Sequence, residues 1–355
     1  MSYKKTWFRI KVFLKDKNKK PIPLIIREFF ALWMHKKSFP IHYFGRFFYR
    51  KDHKDIYSII DMKQYRQIVF SKKNNQDHYV HLLDNKLLFS MFCEQHGLST
   101  PKLLGYNMGD RFFYEGKHRI FRFPQEIIEY FETIFKRSGV DRIFIKSFCG
   151  SGGKEVFLID ATHLGEKIEG MIDDLLRGAF IFQVGVTQHP EIAKVYSSSI
   201  NTIRVGTFID STGEAHVLGC GIRFGTGGNV IDNVSSGGFY VPIDSATGVI
   251  GAKGIRAMIF GGDEFFMHPD TGVSFKGIKV PYFEEALKLC LKFANYIPNR
   301  LAGWDVAIQS EGPVVLEGNQ TPGIFIGEVG YGGYVKHPLF KQMLEGDSEG
   351  TSMKN

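Results

Sequence analysis

The chain has 355 residues, 43% of them hydrophobic and 23% charged, which is the composition of a globular protein and excludes a disordered one. With 39 glycines and only 13 prolines, it is neither collagen-like nor of low complexity. No run of about 18 apolar residues occurs, so the sequence predicts no bilayer-spanning helix.

The positive charge lies near the N-terminus. Residues 1–75 hold 19 Lys and Arg against 5 Asp and Glu, a net of +14, whereas the other 280 residues hold 26 against 32, a net of −6. Four apolar residues at helical spacing predict an amphipathic helix over 23–37: Ile26, Phe29, Phe30 and Trp33. Two interpretations stay open. The aromatic rings pack on the body while the lysines are solvated, or the segment makes weak contact with an anionic membrane surface.

Further along, the polar stretch 71–77 predicts a domain boundary, and Asp84 is expected to cap a helix that ends at Gly97. From residue 125 helices and strands alternate, and after 185 the pattern is mainly β. The predicted helices are 125–137, 164–177 and 282–296. The predicted strands are 142–146, 155–159, 179–184, 200–208, 215–224, 238–243, 302–309 and 313–319.

The cysteines give a weak indication of location. The four cysteines are Cys93, Cys149, Cys220 and Cys290. They are far apart and form no CxxC pair, which argues against a zinc site or a disulfide framework. The first residues lack the apolar core of a secretory signal. We therefore expect a cytoplasmic protein.

A glycine-rich loop at residues 147–154 follows the strand that ends in Lys146. Glycines there let backbone N–H groups approach phosphate oxygens. Known phosphate loops fit poorly, because a P-loop needs Ser or Thr and a dinucleotide fingerprint needs Gly where Glu155 stands. A kinase-type loop needs its lysine on a later strand. A simple hairpin turn stays the alternative.

A second cluster follows from the predicted hairpin 302–319. If the turn is centred near Glu311, then Asp305 lies opposite Glu317, with their Cβ atoms about 5 Å apart. Alternation places Asn319 on the same face as Glu317. Two carboxylates and an amide oxygen are hard ligands that suit Mg²⁺. A solvent-facing polar surface, or the carboxylate pair of a retaining glycosidase, are the alternatives.

Together these motifs resemble the ATP-grasp superfamily. The run 316–323 is similar to that of D-alanine–D-alanine ligases, and the runs 199–204, 223–225, 232–238 and 303–306 resemble the sugar-transfer-associated ATP-grasp family, found among bacterial capsule and exopolysaccharide genes. The resemblance covers roughly residues 80–325. It implies an α+β fold in which two lobes, 76–184 and 185–345, clasp ATP, with a helical basic extension at 1–75 and a frayed tail at 346–355.

The resemblance also implies roles for single residues. The nucleotide would be held by Lys86, by Lys146, by the loop residues Gly150, Ser151, Gly152 and Gly153, and by the hinge residues Gln183 and Val184, whose backbone would read the adenine. Two Mg²⁺ ions would be bound by Asp305, Glu317 and Asn319. The reacting groups would be held by Arg204, Arg223 and the backbone N–H of Gly323.

The implied activity is an ATP-dependent ligase that joins a carboxylate to an amine through an acylphosphate, with a sugar such as a uronic acid as one substrate. The expected partners are small-molecule or glycan substrates and no nucleic acid. Two other activities share the same ATP residues and stay open: a kinase that phosphorylates a sugar hydroxyl, and a non-catalytic protein that binds a nucleotide or glycan.

Overall fold

A computed structural model describes residues 3–150, 156–229, 232 and 237–345. The predictions for Ser151, Gly152, Gly153 and the tail 346–355 lie outside the described residues. The fold is α+β, as predicted, with two antiparallel sheets and helices packed on them.

The N-terminal segment is helical. Its α-helices are α1 (Tyr3–Lys15), α2 (Ile22–Lys36), α3 (Ile41–Gly45) and α4 (Met62–Phe70), with a short 3-10 helix at Ile56–Ser58. α2 is the helix predicted over 23–37. Three consecutive side chains, Phe47, Phe48 and Tyr49, are fully buried, and so is nearby Tyr43. They share a core with Tyr240 and Ile326 of the C-terminal part, so the segment is packed on the body.

Two short helices follow, α5 (Asp77–Asp84) and α6 (Lys86–Gln95). The expected cap at Asp84 is wrong by one residue, because Asp84 ends α5 and the Asn85 side chain accepts the N–H groups of Leu87 and Leu88. Gly97 does follow the helix with a positive φ of 59°. Leu83 and Phe89 pack in the core of the second sheet, so α5 and α6 share a core with the second sheet although they precede the first sheet in the chain.

The first sheet has six strands in the order β3-β2-β1-β6-β4-β5. Its strands are β1 (Leu103–Met108), β2 (Arg111–Tyr114), β3 (Lys117–Ile120), β4 (Arg142–Ser147), β5 (Val156–Asp160) and β6 (Ala179–Val184). The helices α7 (Pro124–Ser138) and α8 (Leu164–Arg177) place apolar stripes on this sheet. β4 and β5 pair antiparallel on either side of the predicted glycine loop.

The second sheet has seven strands in the order β11-β10-β9-β8-β7-β12-β13. Its strands are β7 (Ile203–Ile209), β8 (Ala215–Phe224), β9 (Phe239–Pro242), β10 (Gly254–Ile255), β11 (Glu264–Phe265), β12 (Leu301–Gln309) and β13 (Gly312–Asn319). The α-helices described in this half are α9 (Pro190–Ala193), α10 (Phe283–Tyr296), α11 (Ile324–Tyr331) and α12 (Phe340–Leu344), with a short 3-10 helix at Met258–Phe260. α10 covers one face through Phe293, whose ring lies 5.4 Å from that of the fully buried Trp304.

Among the described helices, none combines the length and the apolar character needed to cross a bilayer.

Candidate active site

The hairpin of β12 and β13 places the two predicted carboxylates opposite each other. Asp305 pairs with Glu317 and Gly303 with Asn319, as the sequence predicted. The register then shifts, so that Val306 pairs with Val315. Leu316 is the extra residue of a β-bulge, and two residues of the bulged strand therefore oppose Asp305.

The bulge changes which residues of the hairpin share a face. Strict alternation groups Val314 and Leu316 with Val306 in a single core. The structure instead packs Val314 and Leu316 against Ala307 and Val186, while Val306 lies in the core beneath the second sheet. The inserted residue reverses the alternation on one side of it.

Both predicted arginines contact Asp305. Arg204 is its direct neighbour on β7, and its Nε and Nη2 lie 2.5 and 3.0 Å from the two carboxylate oxygens. Arg223, on β8, places Nη2 2.8 Å from Oδ2. Such a forked arrangement is among the stronger hydrogen-bonded ion pairs in proteins. Contact of these arginines with a phosphate or a substrate carboxylate stays a prediction.

The two carboxylates of the hairpin titrate in opposite directions. Burial alone would raise the pKa of Asp305, but Arg204 and Arg223 bring that pKa well below its usual range. Burial raises the pKa of Glu317, and the neighbouring charge of Asp305 raises it further. Asp305 is therefore ionised and its negative charge is balanced by the two arginines, whereas the negative charge of Glu317 is not fully balanced.

Two lysines from the first half of the chain reach the same place. The Nζ atom of Lys86 lies 2.8 Å from the carbonyl oxygen of Gly150 and 3.7 Å from Oε2 of Glu317. The backbone N–H of Lys86 also donates to the carbonyl of Phe148 at 2.8 Å. Lys86 thus joins the start of the glycine loop to the carboxylate hairpin.

Lys146 donates to Oε1 of Gln183 at 3.1 Å. Burial lowers the pKa of Lys146 to about 8, and the charge of Lys86 lowers it too, whereas Glu317 opposes the shift. Gln183 is held in turn, because its Nε2 donates to Oγ of Ser90 at 2.8 Å and to the carbonyl of Pro101 at 3.2 Å. The site therefore contains a lysine placed by a neutral amide.

The hinge prediction needs one correction. The N–H of Val184 donates to the carbonyl of Lys102 at 3.0 Å, so this N–H is already used and does not fit a contact with adenine. The reason is that β6 is an inner strand with β1 on one side and β4 on the other. A contact of adenine with the rest of the Gln183–Val184 backbone stays a prediction.

Gly323 begins α11 beside Arg204. Its φ of +80° is the left-handed conformation that glycine adopts easily, and a Cβ there would lie 3.3 Å from Cγ of Arg204. The N-terminal end of α11 therefore lies next to the arginine and carboxylate cluster. Unpaired N–H groups at such an end attract negative charge.

Sequence reasoning missed the partners that hold Arg223. Asp232 accepts from the N–H and the hydroxyl of Thr202 at 2.7 and 2.6 Å, and its Oδ2 lies 3.5 Å from Nε of Arg223. The Thr202 hydroxyl also accepts from Nε of Arg223 at 3.1 Å. Thr202 and Asp232 both lie within the runs that carry the family resemblance, and their position there was the only indication in the sequence of a role in the site.

The predicted metal ligands fit Mg²⁺ by their chemistry. Glu317 and Asn319 lie on one strand of the hairpin and Asp305 on the other, and all three carry oxygen atoms of the kind that Mg²⁺ prefers. Both carboxylate oxygens of Asp305 already accept hydrogen bonds from arginines, so a cation at Asp305 would compete with Arg204 and Arg223. The raised pKa of Glu317 supports this assignment, since a bound cation would supply the counter-charge that the carboxylate lacks.

A site in which a lysine precedes a glycine-rich loop, and in which Lys86 joins the start of that loop to a carboxylate hairpin, is that of an ATP-grasp protein. The family model described as sugar-transfer associated ATP-grasp matches residues 65–342. The chain belongs to this family, and the resemblance predicted from the motifs is confirmed. No curated protein matches the chain in sequence.

Several solved structures resemble the chain at low identity. The ATP-grasp ligase PsnB, solved with a minimal precursor, is 14% identical over 77% of this chain and 64% of its own, with a TM-score of 0.40. D-alanyl-alanine synthetase A from Vibrio cholerae is 9% identical over 75% and 63%, with a TM-score of 0.44. Biotin carboxylase from Campylobacter jejuni is 11% identical over 77% and 48%, with a TM-score of 0.45.

The chain therefore spans about half to two thirds of the length of these three proteins. Identities of 9–14% do not transfer a substrate from one protein to another.

Proposed function

We propose that the protein is an ATP-dependent ligase that joins a carboxylate to an amine. The observation that carries the proposal is the meeting of two halves of the chain at Lys86, whose Nζ lies 2.8 Å from the Gly150 carbonyl and 3.7 Å from Glu317. One side chain thereby joins the start of the glycine-rich loop to the carboxylate hairpin. A nucleotide phosphate bound at that loop would lie beside the proposed metal ligands.

The charges of the cleft suit a reaction between two anions. Lys86, Lys146, Arg204 and Arg223 converge on Asp305 and Glu317. Four basic side chains reduce the repulsion between the phosphates of ATP and an attacking carboxylate, and catalysis of phosphoryl transfer is mainly such positioning and charge neutralisation.

In the proposed reaction a carboxylate oxygen of the acceptor forms a bond to the γ-phosphorus, and the bond from that phosphorus to ADP breaks. The amine then attacks the acyl carbon, phosphate leaves, and the amine loses a proton to give an amide. Lys146 and Lys86 bind phosphate oxygens, Arg204 and Arg223 orient the anionic groups, and the Gly323 N–H faces the oxygen that gains charge. Asp305, Glu317 and Asn319 would hold Mg²⁺, which would neutralise negative charge on the phosphates.

The family description, sugar-transfer associated, supports a sugar as one substrate. We propose a uronic acid as the carboxylate, or an amino sugar as the amine, in the biosynthesis of a capsule or exopolysaccharide. This assignment depends on family context, whereas the ATP and metal roles depend on the geometry of the cleft.

The glycosidase alternative loses support from the contacts of Asp305. Both of its carboxylate oxygens accept hydrogen bonds from arginines, and this lowers the electron density that a nucleophile needs. The buried lysines also have no role in glycoside hydrolysis.

An ADP-release screen over uronic acids crossed with amino acids tests the ligase. We expect ADP release that requires one member of each class and yields an amide detectable by mass spectrometry. Release with a sugar alone, together with a phosphorylated sugar, would identify a kinase instead. No release with any pair would favour the non-catalytic alternative. Glu317→Gln serves as the inactive control.

A further inference from the structure

Helix α2 carries apolar side chains on two faces, and only one of them is used by the fold. Ile25 and Leu32 are buried against the body. The adjoining face, together with Phe39 just beyond the helix, forms what we call the outer stripe. Each of its residues leaves 42–74% of its surface exposed: Ile22, Ile26, Phe30, Trp33, Met34 and Phe39.

The outer stripe is continuous along the helix. The spacing of Ile22, Ile26, Phe30 and Trp33 places them within one side of α2. The rings of Phe30 and Trp33 are stacked at 6.1 Å, and Phe39, just beyond the helix, contacts Trp33 at 5.6 Å. A contiguous exposed apolar surface of this kind marks an interaction site in a folded protein.

The charges around the outer stripe have one sign. Arg27 and Lys37 are exposed beside it, and residues 1–41 contain two acidic residues, both turned inward. Glu28 binds Lys20 at 2.8 Å and the Tyr43 hydroxyl at 2.6 Å.

The other acidic residue, Asp16, binds Arg50 at 2.7 Å and the Tyr49 hydroxyl at 2.7 Å. Exposed Lys11, Lys15 and Lys17 add positive charge on and after α1. The surface is therefore apolar, aromatic and cationic, with its acidic groups withdrawn into ion pairs.

We propose that the outer stripe of α2 docks the protein on an anionic lipid bilayer. An apolar helix face flanked by Lys and Arg lies in the plane of a membrane interface, and Trp and Phe favour the depth of the headgroups. Because the inner face of α2 stays packed on the body, docking needs no unfolding. A second copy of the chain is a poorer occupant, because two such segments, each with a net charge of +14 over residues 1–75, would repel each other.

Helix α1 presents a second exposed apolar group: Trp7, Phe8, Ile10 and Leu14. Lys11 lies 5.7 Å from the ring of Trp7. This group has the same composition as the outer stripe, and we include it as a secondary contact. The binding should be weak and reversible, because each basic residue contributes about fivefold to partitioning at best, and salt screens it.

Co-sedimentation of the full chain with vesicles tests the proposal. We expect binding to phosphatidylserine–phosphatidylcholine vesicles at low ionic strength, little binding to pure phosphatidylcholine, and release at about 1 M salt, where the Debye length is about 3 Å. Phe30→Ser with Trp33→Ser should reduce binding at least tenfold. Arg27→Glu with Lys37→Glu should reduce it as well, and only for the anionic vesicles.

A matched control replaces two exposed rings elsewhere, Phe123→Ser with Phe266→Ser, and should bind as wild type does. A protein that stays in the supernatant with anionic vesicles at low salt would overturn the proposal. So would a Phe30/Trp33 variant that binds as well as wild type. If light scattering shows a wild-type dimer that this variant loses, then a second copy covers the stripe and the membrane proposal is wrong.

Discussion

At the scale of single residues, Asp305 and Glu317 are chemically alike but placed in opposite surroundings. Asp305 is ion-paired with two arginines, so its charge stabilises the fold, whereas burial and Asp305 oppose the charge of Glu317. We expect Asp305→Asn to lower the free energy of unfolding by about 3 kcal/mol or more, because it removes the buried carboxylate charge that pairs with both Arg204 and Arg223.

Glu317→Gln is the matched variant. It should keep or raise the free energy of unfolding at neutral pH, since it removes a carboxylate that repels Asp305. Urea unfolding of both variants checks the pair. An equal loss in the free energy of unfolding for Asp305→Asn and Glu317→Gln would contradict the assignment of opposite environments to the two carboxylates.

A second residue-scale prediction concerns Lys146, whose pKa is lowered to about 8 in the protein without nucleotide. The side chain is protonated below that pKa, so phosphate binding should weaken as the pH rises through about 8. Calorimetric titration with ADP between pH 7 and 9 measures this. Gln183→Glu would place a negative charge near Lys146, raise its pKa, and move the loss of affinity to higher pH.

Lys146→Arg provides the control, because a guanidinium stays charged over this range. Its affinity for ADP should be nearly independent of pH between 7 and 9. If this variant shows the same pH dependence as wild type, then another group is responsible.

At the scale of elements, the hairpin β12–β13 depends on a close approach that only glycine permits. A Cβ on Gly303 would lie 2.5 Å from the carbonyl oxygen of Thr321 and 2.9 Å from Cα of Pro322. Gly303→Ala should therefore push the 321–323 turn away from the carboxylates. We expect a loss of about 1–3 kcal/mol in the free energy of unfolding, with weaker nucleotide binding.

Gly170→Ala is a matched control on α8, because nothing lies within 4 Å of the added Cβ and alanine favours a helix. It should leave stability unchanged or improve it. Thermal unfolding compares the two variants with the wild type. A Gly303→Ala protein as stable as the wild type would contradict the close-approach explanation.

Element boundaries were largely predictable from the sequence. The helix 164–177 and the strands 179–184 and 215–224 have the predicted bounds, because apolar periodicity and flanking glycines coincide there. The bulge at Leu316 was not predictable, since a bulge is a shift of one residue with no characteristic sequence here. The cap at Asn85 was missed because the neighbouring Asp84 is equally able to cap a helix.

The pairing of the site residues was only partly predictable. Asp305 and Glu317 are joined by a short hairpin, so their opposition follows from local sequence. The ion pair of Arg204 with Asp305 joins residues 101 apart, and strand order between distant segments is not encoded locally. The contact of Lys86 with Glu317 depends on how two halves of the chain approach, which no local pattern reports.

At the scale of the whole molecule, Arg50 connects the N-terminal segment to the second sheet. It is buried, its Nε lies 2.7 Å from Asp16 and its Nη1 3.2 Å from Glu264, and its Nη2 donates to the Gly262 carbonyl at 2.6 Å. Arg50→Ala should reduce the free energy of unfolding by about 3–5 kcal/mol, because two carboxylates lose a buried partner.

The exposed pair of Arg177 with Asp173 is the control for Arg50. Arg177→Ala should produce no measurable change, because exposed ion pairs on a helix contribute little. Urea unfolding compares the two variants, and an Arg50→Ala protein of wild-type stability would show that the segment is not anchored through this contact.

The most direct test of the nucleotide site measures how Mg²⁺ changes the binding of a non-hydrolysable ATP analogue. Calorimetry is done with and without Mg²⁺ on the wild type and on Glu317→Gln. We expect Mg²⁺ to strengthen binding to the wild type and to have a much smaller effect on Glu317→Gln, whose fold is retained. Equal strengthening by Mg²⁺ in both proteins, or no binding of the analogue to the wild type, would contradict a magnesium–nucleotide site between the glycine loop and the carboxylate hairpin.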